Sequence, residues 1–462
     1  MPVFRPIHDM LAGAAGRVSG HMPGHKGRAP FGAEDLYALD TTELPTTDNL
    51  YAPERGIAEA QRLYARAAGA AETLFLTGGA TAGIAVMLQL WARRGLGGKP
   101  GDTVLLPRSA HHSAVDACAR FGLHPEWIPV RQRENGKVYV AQEDVLAALA
   151  AHPEAKTLLL TRPDYDGACI PLEGIIAQAH ARGIRVAVDE AHGAHLPWLE
   201  GLPSAGALGA DAWVQSVHKT LPGLTGSAVL HLRDAADHPR ALRLLRRSQS
   251  SSPSFLLLQS IDDARAWMEL QGRERLRQVA EAADSLRRAL PALGYSDAQA
   301  RMAEPGYSFD PTRLVIEAPQ GGFALEGELR ARGIDAEMAD FTSVTLIFTA
   351  CSTAQDFAAV RAALETIRPH AEPLPPVPAL TALPPRRVDP WETEAMDWEA
   401  VPVREAAGRV SAVAAGLYPP GMPLVMPGEI ITEDTMRLLA QAPSQGRFGL
   451  EEDRWLCVQD AP

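Results

Sequence analysis

Six short apolar runs, Thr73–Leu76, Thr103–Leu106, Thr157–Leu160, Arg185–Val188, Ala212–Val217 and Ser227–Leu232, are separated by longer amphipathic stretches. Strands that read as near-continuous apolar runs must be buried on both faces, which predicts a mainly parallel sheet covered by helices. Parallel neighbours need crossovers of roughly a dozen residues or more, and these spacings provide them. Helices are expected at Ala58–Ala70, Glu143–Ala151 and Leu172–Arg182, and a long helical pattern runs from Ser260 to Leu290. That pattern leads into a second, smaller α/β unit with strands at Arg313–Ile316 and Ser343–Phe348 and helices at Leu325–Arg332 and Gln355–Ile367. A chain of 462 residues exceeds the usual size of one core, so several domains are expected. The reading divides it into an N-terminal arm (1–45), a major domain (46–285), a small α/β domain (286–371), a Pro-rich linker (372–390) and a C-terminal domain (391–462).

In open α/β sheets ligands bind outside the carboxyl ends of the strands, so the polar residues there are the ones to read. The first run is followed by Thr77-Gly78-Gly79-Ala80-Thr81-Ala82-Gly83 and a helical pattern. Bare N–H groups at a helix start suit a phosphate, and Thr81 adds a hydroxyl, although such turns also use glycine for sterics alone. His111 follows the second run and can stack on a planar ring, handle protons or sit in solvent. Asp189 follows the fourth and can cap a helix or pair with a protonated heterocyclic nitrogen. Lys219 follows the fifth, behind Ser216 and His218. An ammonium at the end of an apolar strand loses solvation and its pKa falls, which suits an amine that must be neutral to form an imine with a carbonyl cofactor. Phosphate cradle, ring-stacking histidine, ring-nitrogen partner and imine-forming lysine occur in that order, and the set fits pyridoxal 5′-phosphate (PLP). The dinucleotide fingerprint GxGxxG and the P-loop GxxxxGK[ST] are both missing, which disfavours NAD and ATP.

The formal net charge of -12 disfavours a nucleic-acid partner and is compatible with cationic substrates or products. Only five lysines occur, so candidates for a catalytic amine are few. The four scattered cysteines form no CxxC pair, which points to reduced thiols in a cytoplasm and to no metal site. No apolar run is long enough to cross a bilayer, and residues 1–17 are too polar for a signal peptide.

The motifs His21-Met22-Pro23-Gly24-His25-Lys26-Gly27, Asp48-Asn49-Leu50-Tyr51-Ala52-Pro53, Asp189-Glu190-Ala191-His192-Gly193-Ala194-His195 and Ser216-Val217-His218-Lys219 carry a further reading. Together with Tyr418-Pro419-Pro420-Gly421-Met422-Pro423 and Pro427-Gly428-Glu429, they resemble the bacterial Orn/Lys/Arg decarboxylases in their short form. The resemblance spans nearly the whole chain and implies PLP fold type I, with a small α/β domain and a C-terminal domain. It implies that Lys219 carries the cofactor, that Asp189 keeps its ring nitrogen protonated, and that His111 and Ala191 pack on its two faces. Ala80, Thr81, Ser216 and His218 occupy phosphate-binding positions, with His192 beside the ring. Ser250-Ser251-Ser252-Pro253 resembles a segment whose Ser251 reaches the phosphate of a neighbouring subunit, implying a homodimer or larger homo-oligomer with shared sites. Glu429 matches an acidic position near the substrate end. Four positions depart from the family pattern: Gly78 stands where asparagine is more common, Ala80 in place of a hydroxyl residue, Asp164 where a small hydroxyl residue is common, and His112 where lysine is usual.

The expected reaction is α-decarboxylation of a basic L-amino acid, arginine first and then lysine or ornithine, giving CO2 and agmatine or a diamine for polyamine synthesis. Aminotransfer or aldol-type cleavage with the same cofactor is the alternative, followed by a non-catalytic amine sensor on the same fold.

Overall fold

The computed structural model describes residues 4–14, 34–95, 99–302, 304–370, 383–417, 422–441 and 447–459. The motif His21–Gly27, residues 418–421 and residues 372–382 of the expected linker lie outside the described residues.

The central sheet has seven strands: β1 (Glu72–Leu76), β2 (Thr103–Pro107), β3 (His124–Ile128), β4 (Thr157–Thr161), β5 (Arg185–Asp189), β6 (Ala212–Ser216) and β7 (Ala228–Leu232). Their spatial order is β1-β7-β6-β5-β4-β2-β3. The run from β3 to β6 is parallel, whereas β7 is antiparallel to both its neighbours. The last run therefore departs from a purely parallel arrangement. Only residues 217–227 join β6 to β7, with no full crossover helix among them, so the chain returns antiparallel. β3 was not legible as a strand, because His124-Pro125-Glu126-Trp127-Ile128 mixes polar residues and proline. An edge strand tolerates both, since one side of its backbone has no partner strand.

Alternate residues of each strand feed two separate apolar cores. Phe75, Leu105, Leu158, Leu160, Val186 and Trp213 lie on one face. Leu74, Leu76, Val104, Leu106, Leu159 and Val214 lie on the other. Each fully buried aliphatic side chain is worth about 1.5–3 kcal/mol, so both layers of helices are held on mainly by this burial. The helix Gly79–Trp91 approaches β6 so closely that a Cβ on Gly83 would stand 2.5 Å from Val214 Cγ2.

The long helical pattern resolves into Phe255–Trp267, a π-helical turn at Met268–Gly272 and Arg273–Ala289. Beyond it, Ser296–Asp297, Arg313–Glu317, Ser343–Ile347 and Met338–Ala339 form an antiparallel sheet packed by the helices Gly322–Arg330 and Ala354–Thr366 around their own core. The terminal segment builds two small three-stranded sheets around a further core containing Trp455 and Leu439.

Two stretches expected to be irregular are partly ordered. In the arm, Pro6–Ala14 is helical and docked: Ile7 is buried, its N–H donates to Asp262, and Arg265 donates to the Phe4 carbonyl. The end of the linker is pinned by Arg386, which donates to Glu126 and Pro125, and by Asp389, which meets His124 at 2.7 Å.

Candidate active site

A cavity of about 630 Å³ opens at the carboxyl ends of β2, β4, β5 and β6, within the range of small-molecule sites. Ala80, Thr81, His111, Asp189, Ala191, His192, Ser216, His218 and Lys219 all line it. They are scattered over 140 residues of sequence and meet because each follows a strand of one sheet.

One wall is the start of the helix Gly79–Trp91. No side chain caps it, and Gly79 takes a left-handed φ of +68° while donating its N–H to the Gly226 carbonyl. The first-turn N–H groups of a helix lack intrahelical partners, so Ala80 and Thr81 stand at a ready anion site. Gln249 occupies the preceding N–H groups, its Oε1 accepting from Thr77 and Gly78 at 2.7 and 2.8 Å.

Lys219 sits on the short helix Val217–Thr220 directly after β6. Burial pushes its amine down, against the opposing pull of Asp189 and Glu337. Its Nζ lies 3.0 Å from His192 Nε2, while Arg313 Nη2 lies 3.2 Å from His192 Nδ1. A guanidinium only donates, so Nδ1 accepts and the ring proton belongs on Nε2, pointing at Lys219. An amine that receives a hydrogen bond presents its lone pair, so this contact favours neutral Lys219 in the same direction as burial. His192 itself is held neutral, its pKa driven well down by burial and by Arg313 and Lys219.

Asp189 is buried at the end of β5 and accepts one N–H, from Ala191 at 3.1 Å. Burial pushes its carboxyl up, so in the free protein it lacks a cationic partner strong enough to offset desolvation. His111 caps the helix His112–Phe121, accepting from the Ser113 N–H. Burial, then His112 and Lys219, lower its pKa to about 4, leaving a neutral ring at neutral pH.

Two expected site residues do not line this cavity. Glu429 is buried against Arg108, whose guanidinium it meets with both oxygens, and it also accepts the Met426 N–H. The pairing corrects its expected place near the substrate: Arg108, at the end of β2, claims the carboxylate. Ser251 is exposed on a segment beside Gln249, outside the cavity of its own chain.

Sequence reasoning missed several lining groups. Lys137 is enclosed by Asp166 (2.8 Å) and Asp340 (2.6 Å), which together outweigh burial and raise its pKa. Glu337 comes from the small unit, and Ala414, Leu417, Pro423 and Phe448 come from the C-terminal unit. Apart from Pro423, which closes the motif that begins at Tyr418, no local motif marks these positions. Asp164, which also lines the cavity, carried a signal as a departure from the family pattern.

The residues present fit PLP on grounds visible here: an anion-binding helix start, a depressed amine, and a buried carboxyl awaiting a cation. A mainly parallel sheet carrying these groups at its strand ends is that of a PLP enzyme of fold type I. Residues 13–305 match the Orn/Lys/Arg decarboxylase major domain, and residues 388–444 match the C-terminal domain of that family. The chain belongs to the Orn/Lys/Arg decarboxylase family. It is 33% identical to an arginine decarboxylase of Bacillus subtilis (strain 168), over 96% of this chain and 95% of that protein. It is 34% identical to the uncharacterized protein YaaO of the same organism, over 98% of each. Among solved structures, the lysine decarboxylase LdcF of Francisella novicida superposes with a TM-score of 0.84 at 18% identity, covering 99% of this chain and 81% of that one.

Proposed function

We propose that this chain decarboxylates a basic L-amino acid, arginine before lysine or ornithine, to CO2 and agmatine or a diamine. The observation that carries the reading is the pairing of a depressed Lys219 amine with buried Asp189 in a cavity whose charged lining holds five acidic residues and two lysines. The similarity to named arginine decarboxylases supports arginine as the first substrate. Bound PLP supplies an electron sink for the pair released when the carboxylate leaves.

Lys219 would hold the cofactor through its amine, and Asp189 would gain the cationic partner it lacks by keeping the ring nitrogen protonated. Ala80, Thr81, Ser216 and His218 would receive the phosphate. The neutral rings of His111 and His192 and the small side chain of Ala191 would bracket the ring. Lys219, with the Nε2–H of His192 beside it, is the group placed to return a proton to Cα. Walls from the small and C-terminal units narrow access for bulk water. We further infer a cytoplasmic homodimer or larger assembly in which Ser251 serves the partner's site, built from units at 46–285, 286–371 and 391–462. No helix among the described residues is long and apolar enough to cross a membrane.

The test is CO2 release from arginine, lysine and ornithine by PLP-loaded protein, with the amine identified by mass. Lys219→Ala should abolish both turnover and the visible absorbance of the bound cofactor. Retention of both, or keto-acid-dependent amine transfer without CO2, would overturn the assignment.

A further inference from the structure

Five acidic residues and two lysines are among the described residues lining the cavity. Lys137 lies between Asp166 and Asp340, so those three groups largely compensate one another. Asp189 belongs to the Lys219 end. Two carboxylates remain, Asp164 and Glu337. Asp164 Oδ1 accepts from the N–H groups of Asp166 (3.0 Å) and Ala168 (2.8 Å), which locks the side chain onto its own turn. Both of these hydrogen bonds to the Asp164 side chain end on Oδ1 and neither on Oδ2.

The electrostatic neighbourhoods of these two carboxylates meet at Arg313 and otherwise differ. Lys219 feels Asp189, Glu337 and Arg313. Asp164 acts on Arg133, in the turn of the hairpin formed by Arg131–Gln132 and Val138–Tyr139, on Tyr307, whose hydroxyl donates to the Val140 carbonyl just after that hairpin, and on Arg313. Tyr139 and Tyr307 meet edge to face at 6.4 Å and line the cavity at that end. Aromatic faces beside a carboxylate suit a flat or compact organic cation.

We infer that Asp164 is a specificity-determining residue whose Oδ2 receives the distal guanidinium or ammonium of the substrate, beside the hairpin of Arg131–Gln132 and Val138–Tyr139. This rests on the basic amino-acid reading above. Burial and the adjacent Asp166 push the Asp164 carboxyl up. Binding of a cation at Oδ2 therefore strengthens as pH rises and this carboxyl ionises. The charged groups facing it are Asp166, Lys137, Arg133, Arg313 and Tyr307.

The experiment compares PLP-loaded wild type with Asp164→Asn, Asp164→Ser and Glu337→Gln. Agmatine affinity is read by calorimetry between about pH 6 and 8, a range bracketing the raised carboxyl, and kcat/KM is read for arginine. Asn keeps an oxygen for the two backbone N–H groups, and Ser tests the same site should Asn disturb it. Losing a charge-assisted hydrogen bond predicts about 10- to 100-fold weaker agmatine binding and a similar fall in kcat/KM. The visible absorbance of the cofactor should be retained, and the pH slope of agmatine affinity should flatten. Agmatine binding within about threefold of wild type, an unchanged pH slope, or a loss confined to Glu337→Gln would each overturn the inference. Failure of wild type to release CO2 from any basic amino acid would instead strike the proposed function, and agmatine calorimetry would still read Asp164.

Discussion

Glu429→Ala should destabilise the C-terminal unit far more than it perturbs substrate binding. Glu429 and Arg108 are 1% and 2% exposed, and they pair with both oxygens and both terminal nitrogens engaged. Arg108 also donates to the Leu424 carbonyl at 3.2 Å, while Glu429 accepts the Met426 N–H at 2.8 Å. The pair therefore joins the end of β2 to the chain at 424–429. Removing one member of a buried pair strands the other charge and costs about 3–5 kcal/mol. Arg108 is buried away from bulk solvent, so most of that penalty is expected. If the unit opens locally, amide hydrogen exchange in Arg454–Val458, the strand carrying buried Trp455, should accelerate about 10²- to 10⁴-fold. Replacing both partners, as in Arg108→Met with Glu429→Leu, should cost less than Glu429→Ala alone, because no charge is left stranded. Exchange in Glu429→Ala within about fivefold of wild type, together with a raised KM, would refute this reasoning and return Glu429 to the substrate.

Two further outcomes follow from particular contacts. Gly83→Ala places a Cβ 2.5 Å from Val214 and 2.9 Å from Leu76, so it should cost about 1–3 kcal/mol in denaturant unfolding and weaken PLP retention by displacing the helix start; unchanged stability would show that the helix moves freely. His124, held by Asp389 and Glu126, has its pKa raised to about 9. Its stabilising contribution is whole below the unfolded value near 6.5 and is lost as pH rises through about 9, so wild type should lose more stability than His124→Gln between those values; parallel curves for the two proteins would refute it.

Local pattern determined much of this protein. The double-faced apolar runs specified a buried sheet covered on both sides by helices, an arrangement that favours parallel strands. The residues after those runs formed one cavity because successive strands of such a sheet end on the same side. Lys219 and Asp189 were legible for this reason, being costly groups at apolar strand ends. Tertiary structure decided what local pattern does not encode. The direction of β7 followed from a connection too short to cross over, and β3 from an edge position that forgives Pro125. Glu429 kept its motif but not its expected place, because Arg108, 321 residues away in sequence, claims both its oxygens. Lys137, Glu337 and Phe448 reach the cavity from three separate parts of the chain, and their apposition depends on packing between units rather than on any spacing. A residue's chemistry can be read from its own neighbourhood in sequence, but its partner is chosen by the fold.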